Sequence, residues 1–287
     1  MFQKISKSWD LVKASARVLA SDKELVIFPI ISAIATFLVS ITFFLPMAFA
    51  NVADAVLGDS QVIVYLGLFV FYTVQYFVVF FFNTALVGAA MIRLRGGDPT
   101  VRDGFRIAFG RFGQILGYSL IAATVGMILK IFTDKSKGVG RAIVSLIGFA
   151  WNVATFLVVP VLAVENIGPL DAIKRSVSLL KRTWGEQIVG NVGLGAFFGL
   201  VFFGLILAGG AGIAALAVLI ESPIPAIILG ALLLIALVLL GLAQSTLNGI
   251  YTAAIYQYAT EGQTTSNFQP EVIQHAFKPE QTRPSLA

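Results

Sequence analysis

The chain has 287 residues, 57% of them hydrophobic and 12% charged, about half the charged share of an ordinary soluble domain. It contains no cysteine and one histidine, His275 in a polar tail, which excludes disulfides, zinc-thiolate and iron–sulfur centres, cysteine nucleophiles and histidine-based triads. The net charge of +5 comes from basic residues grouped beside apolar runs, an arrangement that suits anionic lipid and membrane orientation rather than nucleic acid.

Residues 1–21 set Phe2, Ile5, Trp9, Val12, Ala16 and Leu19 at steps of three and four, with Lys4, Lys7, Lys13 and Arg17 off that face. This spacing predicts an amphipathic helix lying in the membrane surface. Residues 25–50 are an apolar run, and a hydrocarbon core needs about 20 residues to cross. Ala48-Phe49-Ala50 resembles a signal-cleavage site, but the run exceeds the roughly 7–15 residues of a signal peptide's apolar region, so it reads as a first span. A short acidic loop with Asp54 and Asp59 leads to residues 61–92, a second span long enough to tilt or project beyond the headgroups.

Residues 93–111 combine turn chemistry in RLRGGDP with an apolar stripe of Val101, Phe105, Ala108, Phe109 and Phe112, and Thr100 with Asp103 fits an N-terminal cap. Residues 113–132 and 141–164 are the third and fourth spans, joined by a loop at 133–140. Residues 165–187 form the clearest surface helix. Gly168 and Pro169 suit its start, Asp171 sits in its first turn, and Leu170, Ile173, Val177, Leu180 and Trp184 make the stripe, with Lys174, Arg175, Lys181 and Arg182 off it. Residues 188–220 and 226–258 are the fifth and sixth spans, separated by a turn in which Pro223 and Pro225 prevent one continuous helix. Gly209, Gly210 and Gly212 predict a bend in the fifth.

Sixteen of the 20 Lys and Arg lie in the segments that carry the surface helices or in the tail. The positive-inside rule then puts both termini in the cytosol. Lys130, Lys135, Lys137 and Arg141, opposed only by Asp134, are the exception in the second outer loop.

The expected fold is all-α: a polytopic membrane protein with six transmembrane helices arranged as three hairpin repeats, each preceded by a cytosolic amphipathic surface helix. Residues 1–262 make a single membrane domain with units of about 1–95, 96–164 and 165–262, and 263–287 form a polar cytosolic tail. Asp10 and Lys13, Asp103 and Arg106, and Asp171 and Lys174 recur at matching points of the three surface helices. Asn83, Asn152 and Asn248 precede Gly96, Glu165 and Glu261 by the same interval, which predicts the even-numbered helices around a pseudo-threefold centre. These amides, with Gln244 and the nearby Gln75 and Thr84, either hydrogen-bond between helices as packing or line a polar path. Glu165 and Glu261 read as solvated charges at helix ends, or else as partners for a nearby Arg or Lys, and Tyr251, Tyr256 and Tyr258 read as interfacial anchors.

SWDLVKASARVLASDKELVIFPI at 8–30, GGDPTVRDGF at 96–105 and ENIGPLDAIKRS at 165–176 resemble an uncharacterised family of prokaryotic six-helix integral membrane proteins. The chain is also distantly similar to the membrane domain of some glycerophosphodiester phosphodiesterases, whose soluble catalytic domain it lacks. The resemblance implies the cell membrane and carries over no catalytic residue.

No P-loop, dinucleotide fingerprint, metal-ligand cluster or charge at the centre of a span is present, so no cofactor and no enzymatic activity is expected. The leading expectation is a non-enzymatic protein that organises lipids or a membrane complex. Lys13, Arg17, Arg102, Arg106, Lys174, Arg175, Lys181 and Arg182 would meet anionic headgroups, and a protein partner in the membrane is a further expectation. The alternative is a transporter or lipid-translocating protein with a path at Asn83, Asn152 and Asn248.

Overall fold

The computed structural model describes residues 13, 15–48, 61–184, 193–220 and 222–261. The tail, most of the first surface helix and the Arg182 side chain lie outside the described residues. After a 3-10 turn at Lys23–Val26 come α1 (Ile27–Ala48), α2 (Gln61–Leu94), α3 (Val101–Gly110), α4 (Phe112–Lys135), α5 (Val139–Ala154), α6 (Val158–Val164), α7 (Pro169–Trp184), α8 (Gly193–Leu219) and α9 (Ile224–Glu261). No strand occurs among the described residues. Six stretches are long and apolar enough to cross a membrane: Lys23–Leu45, Val64–Leu94, Phe112–Lys135, Val139–Val164, Phe198–Leu219 and Ile224–Glu261.

Consecutive spans pack as pairs, α1 on α2, α4 on α5 and α8 on α9, and α2 is the common neighbour, touching α1, α3, α4, α6 and α9. Its residues from Thr84 to Met91 are all buried. The small side chains of Ala85, Gly88, Ala89 and Ala90 explain how so many neighbours fit, since each lets a helix axis come close. A Cβ at Gly88 would lie 2.8 Å from Ile107 of α3, and one at Gly249 of α9 would press on Leu86.

The core lies at one end of the bundle. Leu25, Phe28, Leu86, Ile115, Leu157, Leu162, Leu179, Ile250 and Ile255 are its largest fully enclosed side chains. Away from that end α1, α5, α8 and the first half of α9 expose rows of Ile, Leu and Phe, and α5 buries none of its residues. In water such a surface would collapse or aggregate; among acyl chains it is already in an apolar solvent, so the pairs can diverge without a hydrophobic penalty.

The fourth span departs from the expected single helix. It breaks at 155–157 between α5 and α6. Pro160 is the local reason: it has no N–H to offer the Phe156 carbonyl, and its ring would crowd that carbonyl in a regular helix. The break brings Val158, Val161 and Leu162 into the core. Ser176 Oγ on α7 accepts the Leu157 N–H at 3.1 Å, so the helix break leaves that buried donor satisfied. The expected bend in the fifth span is absent as a helix break, since α8 runs unbroken through Gly209, Gly210 and Gly212. A Cβ at Gly209 would lie 2.7 Å from Leu233, so this glycine serves close packing on α9.

The two described surface helices set small residues against the bundle beside part of their apolar stripes, with Val101, Phe105 and Ile173 half-buried against the core. α3 buries Gly104 and Ala108 and leaves Phe109 exposed, while α7 buries Ala172, Ser176, Leu179 and Leu180 and leaves Leu170 exposed. Ile173 and Val177 are half-buried between those faces. At Gly104 a Cβ would meet the Phe28 ring and stand 2.8 Å from the Ala85 carbonyl oxygen, which is backbone and cannot swing aside. Gly104→Ala should therefore lower the stability of the detergent-solubilised protein by about 1–3 kcal/mol. Gly110→Ala, where nothing lies within 4 Å, is the control that should shift the thermal midpoint far less.

Candidate functional site

At the packed end, polar side chains close a collar over the core. Arg93, at the end of α2, donates to Asp98 Oδ1 at 3.1 Å, to the Gly97 carbonyl at 3.3 Å and to the Ser21 carbonyl at 3.1 Å. One guanidinium thus joins the N-terminal segment to the α2–α3 loop, whose turn needs the positive φ of Gly96, 86°. Thr100 caps α3 as expected: Asp103 N–H donates to its Oγ1 at 3.3 Å and its own N–H donates to Asp103 Oδ2 at 3.1 Å. The Thr100 hydroxyl also donates to Asp103 Oδ2 at 2.6 Å, and this bond first, then that from the Thr100 N–H, favours the charged carboxylate and holds the Asp103 pKa below its usual value. Glu24 Oε2 accepts the Val101 N–H at 3.2 Å, placing a second carboxylate at the positive end of α3.

On the opposite side of the collar, Arg175 Nε and Tyr256 Oη both donate to Glu165 Oε1, at 2.9 and 3.0 Å. Arg95 donates to Glu261 Oε1 at 2.6 Å, which ties the end of α2 to the end of α9. Asn166 Oδ1 accepts from Gln114 Nε2 at 3.1 Å and from Arg111, linking the start of α4 to the loop before α7. The Glu165 cluster is the stronger tie. Its carboxylate is 24% exposed and takes two donors, whereas the Arg95–Glu261 pair is 49% and 34% exposed and competes with water.

Sequence reasoning about this cluster was partly right. Glu165 and Glu261 are not free solvated charges but partners of Arg175 and Arg95, the second of the two readings. Tyr256 is not an interfacial anchor: it is 2% exposed, with its hydroxyl on Glu165. The equal spacing of Gly96, Glu165 and Glu261 was the available signal, because Arg95 stands beside the one position of the three that lacks a carboxylate.

The three asparagines are not equally enclosed. Asn83 is half-buried in α2, Asn152 and Asn248 are exposed, and Gln244 is half-buried. α5, which carries Asn152, packs on α4 and α7, not on the hub face of α2. The intramembrane polar tie is made by Gln75 instead, whose Nε2 donates to Ser40 Oγ at 2.7 Å and to the Thr36 carbonyl at 3.2 Å across α1 and α2. Among the described residues, Gln75 Oε1 and Thr84 Oγ1 are enclosed without a partner.

The predicted lipid-contacting cations divide into two groups. Arg106 pairs with Asp103, Lys174 with Asp171 and Arg175 with Glu165, at 3.2, 3.2 and 2.9 Å. Arg17, Arg102 and Lys181 are exposed and have no carboxylate partner among the described residues, and Lys13 is also exposed. Phe109, Phe112 and Leu170 expose apolar surface at the same end. No group of three metal-ligating side chains occurs among the described residues.

Compared with known proteins, the chain matches the profile of a family of unknown function (DUF6159) over residues 62–266. No curated protein and no solved structure matches it, so the expected distant similarity to glycerophosphodiester phosphodiesterases is not supported.

Two outcomes follow from the collar. Glu165→Gln, which leaves the Arg175 guanidinium without its carboxylate, should cost about 1–2 kcal/mol in thermal unfolding, and Glu261→Gln about 0–1. Asp22 is buried, and loss of hydration is the main cause raising its carboxyl pKa above the ordinary value, against the lowering pull of Arg93. The sign is then opposite to that of a paired carboxylate: stability from Asp22 is full at low pH and falls as pH rises through the raised pKa. Asp22→Asn should raise the thermal midpoint at neutral pH and change nothing below the ordinary carboxylate range.

Proposed function

The chain belongs to that family of unknown function, and on this premise we propose a non-enzymatic multi-pass protein of the cell membrane that organises anionic lipid, or a membrane complex, around its charged end. One observation carries the reading: unpaired cations and exposed aromatic and aliphatic side chains share the same rim. Arg17, Arg102 and Lys181, with no carboxylate partner among the described residues, stand with Phe109, Phe112 and Leu170 around a collar in which Arg93, Arg95, Arg106, Lys174 and Arg175 are paired with carboxylates. Apolar groups entering acyl chains beside cations at phosphate level is how an interfacial helix binds.

The three-hairpin repeat and the amphipathic role of α3 and α7 belong to this reading, and the exposure of Phe109 on α3 and Leu170 on α7 supports it, because it leaves one large apolar side chain of each helix for lipid. In the same reading both termini are cytosolic. Glu165 and Glu261 are engaged by Arg175, Tyr256 and Arg95, which leaves neither carboxylate free as a general base. A transport path through the asparagines is not favoured, with Asn152 and Asn248 exposed and α5 off the hub.

Native mass spectrometry from mixed phosphatidylglycerol and phosphatidylcholine vesicles tests the binding. The protein should retain phosphatidylglycerol preferentially, and replacing Arg17, Arg102 and Lys181 together by Gln should lower the number of phosphatidylglycerols retained per chain; equal retention of both lipids by the unaltered protein would sink the idea. The cysteine-free background tests orientation. An impermeant thiol reagent should label Lys137→Cys on intact cells and Ser178→Cys only after permeabilisation, and the reverse pattern would overturn cytosolic termini.

A further inference from the structure

A second candidate site lies at the end of the bundle away from the collar. There α2 and α4 part to leave a cleft of about 80 Å³, with a polar wall of Tyr65, Tyr72, Lys130, Asp134 and Lys135 over apolar side chains of both helices. A single enclosed water needs roughly 10–15 Å³ by this kind of measure, so a group of several heavy atoms fits. Depth follows from helix rise. Lys130 and Lys135 are 18 and 23 residues beyond Phe112, about 27 and 35 Å along α4, and Tyr72 is about 33 Å from Leu94 along α2. A hydrocarbon core is about 30 Å thick, so the cleft falls where the opposite leaflet's phosphates lie when the collar sits at the near one.

The charge of the cleft selects its ligand. Lys130 pairs with Asp134 at 3.3 Å, and Lys135 has no carboxylate partner among the described residues, so the described wall carries one net positive charge. A phosphodiester carries one negative charge, and two tyrosine hydroxyls stand with the lysines as donors. A separate observation is the concentration of Lys130, Lys135, Lys137 and Arg141 in and beside one of the turns where the positive-inside rule disfavours cations. Such residues reduce the orientation bias that fixes topology, so a binding role accounts for their presence. Nearer the collar than the cleft lysines, Leu120 and Ile128 of α4 expose apolar surface against which acyl chains can lie. We propose that this cleft seats the phosphodiester of a phospholipid from the leaflet opposite the collar, with Lys135 and Lys130 as its cations and Tyr65 and Tyr72 as neutral donors. The site is independent of the cations of the collar.

The test is native mass spectrometry of the full chain, reconstituted in phosphatidylglycerol vesicles and extracted into mild detergent. One lipid per chain should survive in the variant that lacks the collar cations Arg17, Arg102 and Lys181. Adding Lys130→Gln and Lys135→Gln should lower that occupancy at least about tenfold, as expected for losing charge-assisted hydrogen bonds. Lys137→Gln, in the same turn but outside the cleft, should leave it unchanged. Asp134→Asn raises the net charge of the wall and should strengthen retention, a gain that a misfolded variant cannot produce. Unchanged retention in the double variant, equal loss in Lys137→Gln, or weaker retention in Asp134→Asn overturns the site. Displacement of the lipid by inorganic phosphate overturns the lipid assignment in favour of a free anion. Loss of lipid from the collar variant alone, with the cleft intact, would likewise refute this site while leaving the collar reading untouched.

Discussion

The close approach of neighbours to residues 84–91 of α2 is the constraint on which the rest of the structure depends. A helix that touches five others has little room for large side chains, and along the roughly two buried turns of 84–91 alanine and glycine reduce the separation of the axes. Two neighbours answer with a glycine: Gly104 of α3 on the Ala85 carbonyl and Gly249 of α9 against Leu86. The contact is dispersion-rich and sensitive to volume, since interiors packed this densely cannot absorb an added methyl without moving backbone.

Concentrating the core at one end divides the molecule into two physical regimes. At the collar, helix ends and loops expose backbone and charge, so stability comes from capping, ion pairs and packed apolar side chains acting together. Farther along, the spans expose Ile, Leu and Phe on most sides, and lipid serves as their solvent. Helix pairs there are held by their turns and by local ties such as Gln75 on Ser40, and a buried amide bond between helices is worth only about 0.6–2 kcal/mol. The far ends are therefore the part of the fold most open to adjustment, and the α2–α4 cleft lies there.

The collar also explains how charge can gather at a membrane surface without being consumed there. Arg93, Arg95, Arg111 and Arg175 are engaged by Asp98, Glu261, Asn166 and Glu165 and fasten the chain's segments to one another. Arg17, Arg102 and Lys181 are exposed and have no carboxylate partner among the described residues. Residue type alone does not separate these groups; only the location of the nearest acceptor side chain does.

Hydrophobic run length, the punctuation by proline and glycine, and the Thr100–Asp103 cap were legible in the sequence because each is a local property of consecutive residues. Six spans and a capped α3 follow from them directly. The break before α6 was legible too, in Pro160, but the surrounding apolar run concealed it, since hydropathy is blind to a missing N–H. The centre of the face by which α3 or α7 meets the bundle was legible only in part: stripe residues Ala108 and Leu180 are buried, but close packing also buries Gly104, Ala172, Ser176 and Leu179 beside them and leaves Phe109 and Leu170 exposed. The partners of Glu165 and Glu261, the exposure of Asn152 and Asn248 and the hub role of α2 were likewise decided by tertiary structure alone. Each depends on the rotation and offset of helices far apart in sequence, and in an apolar solvent the hydrophobic pattern that fixes such rotations in water carries little information.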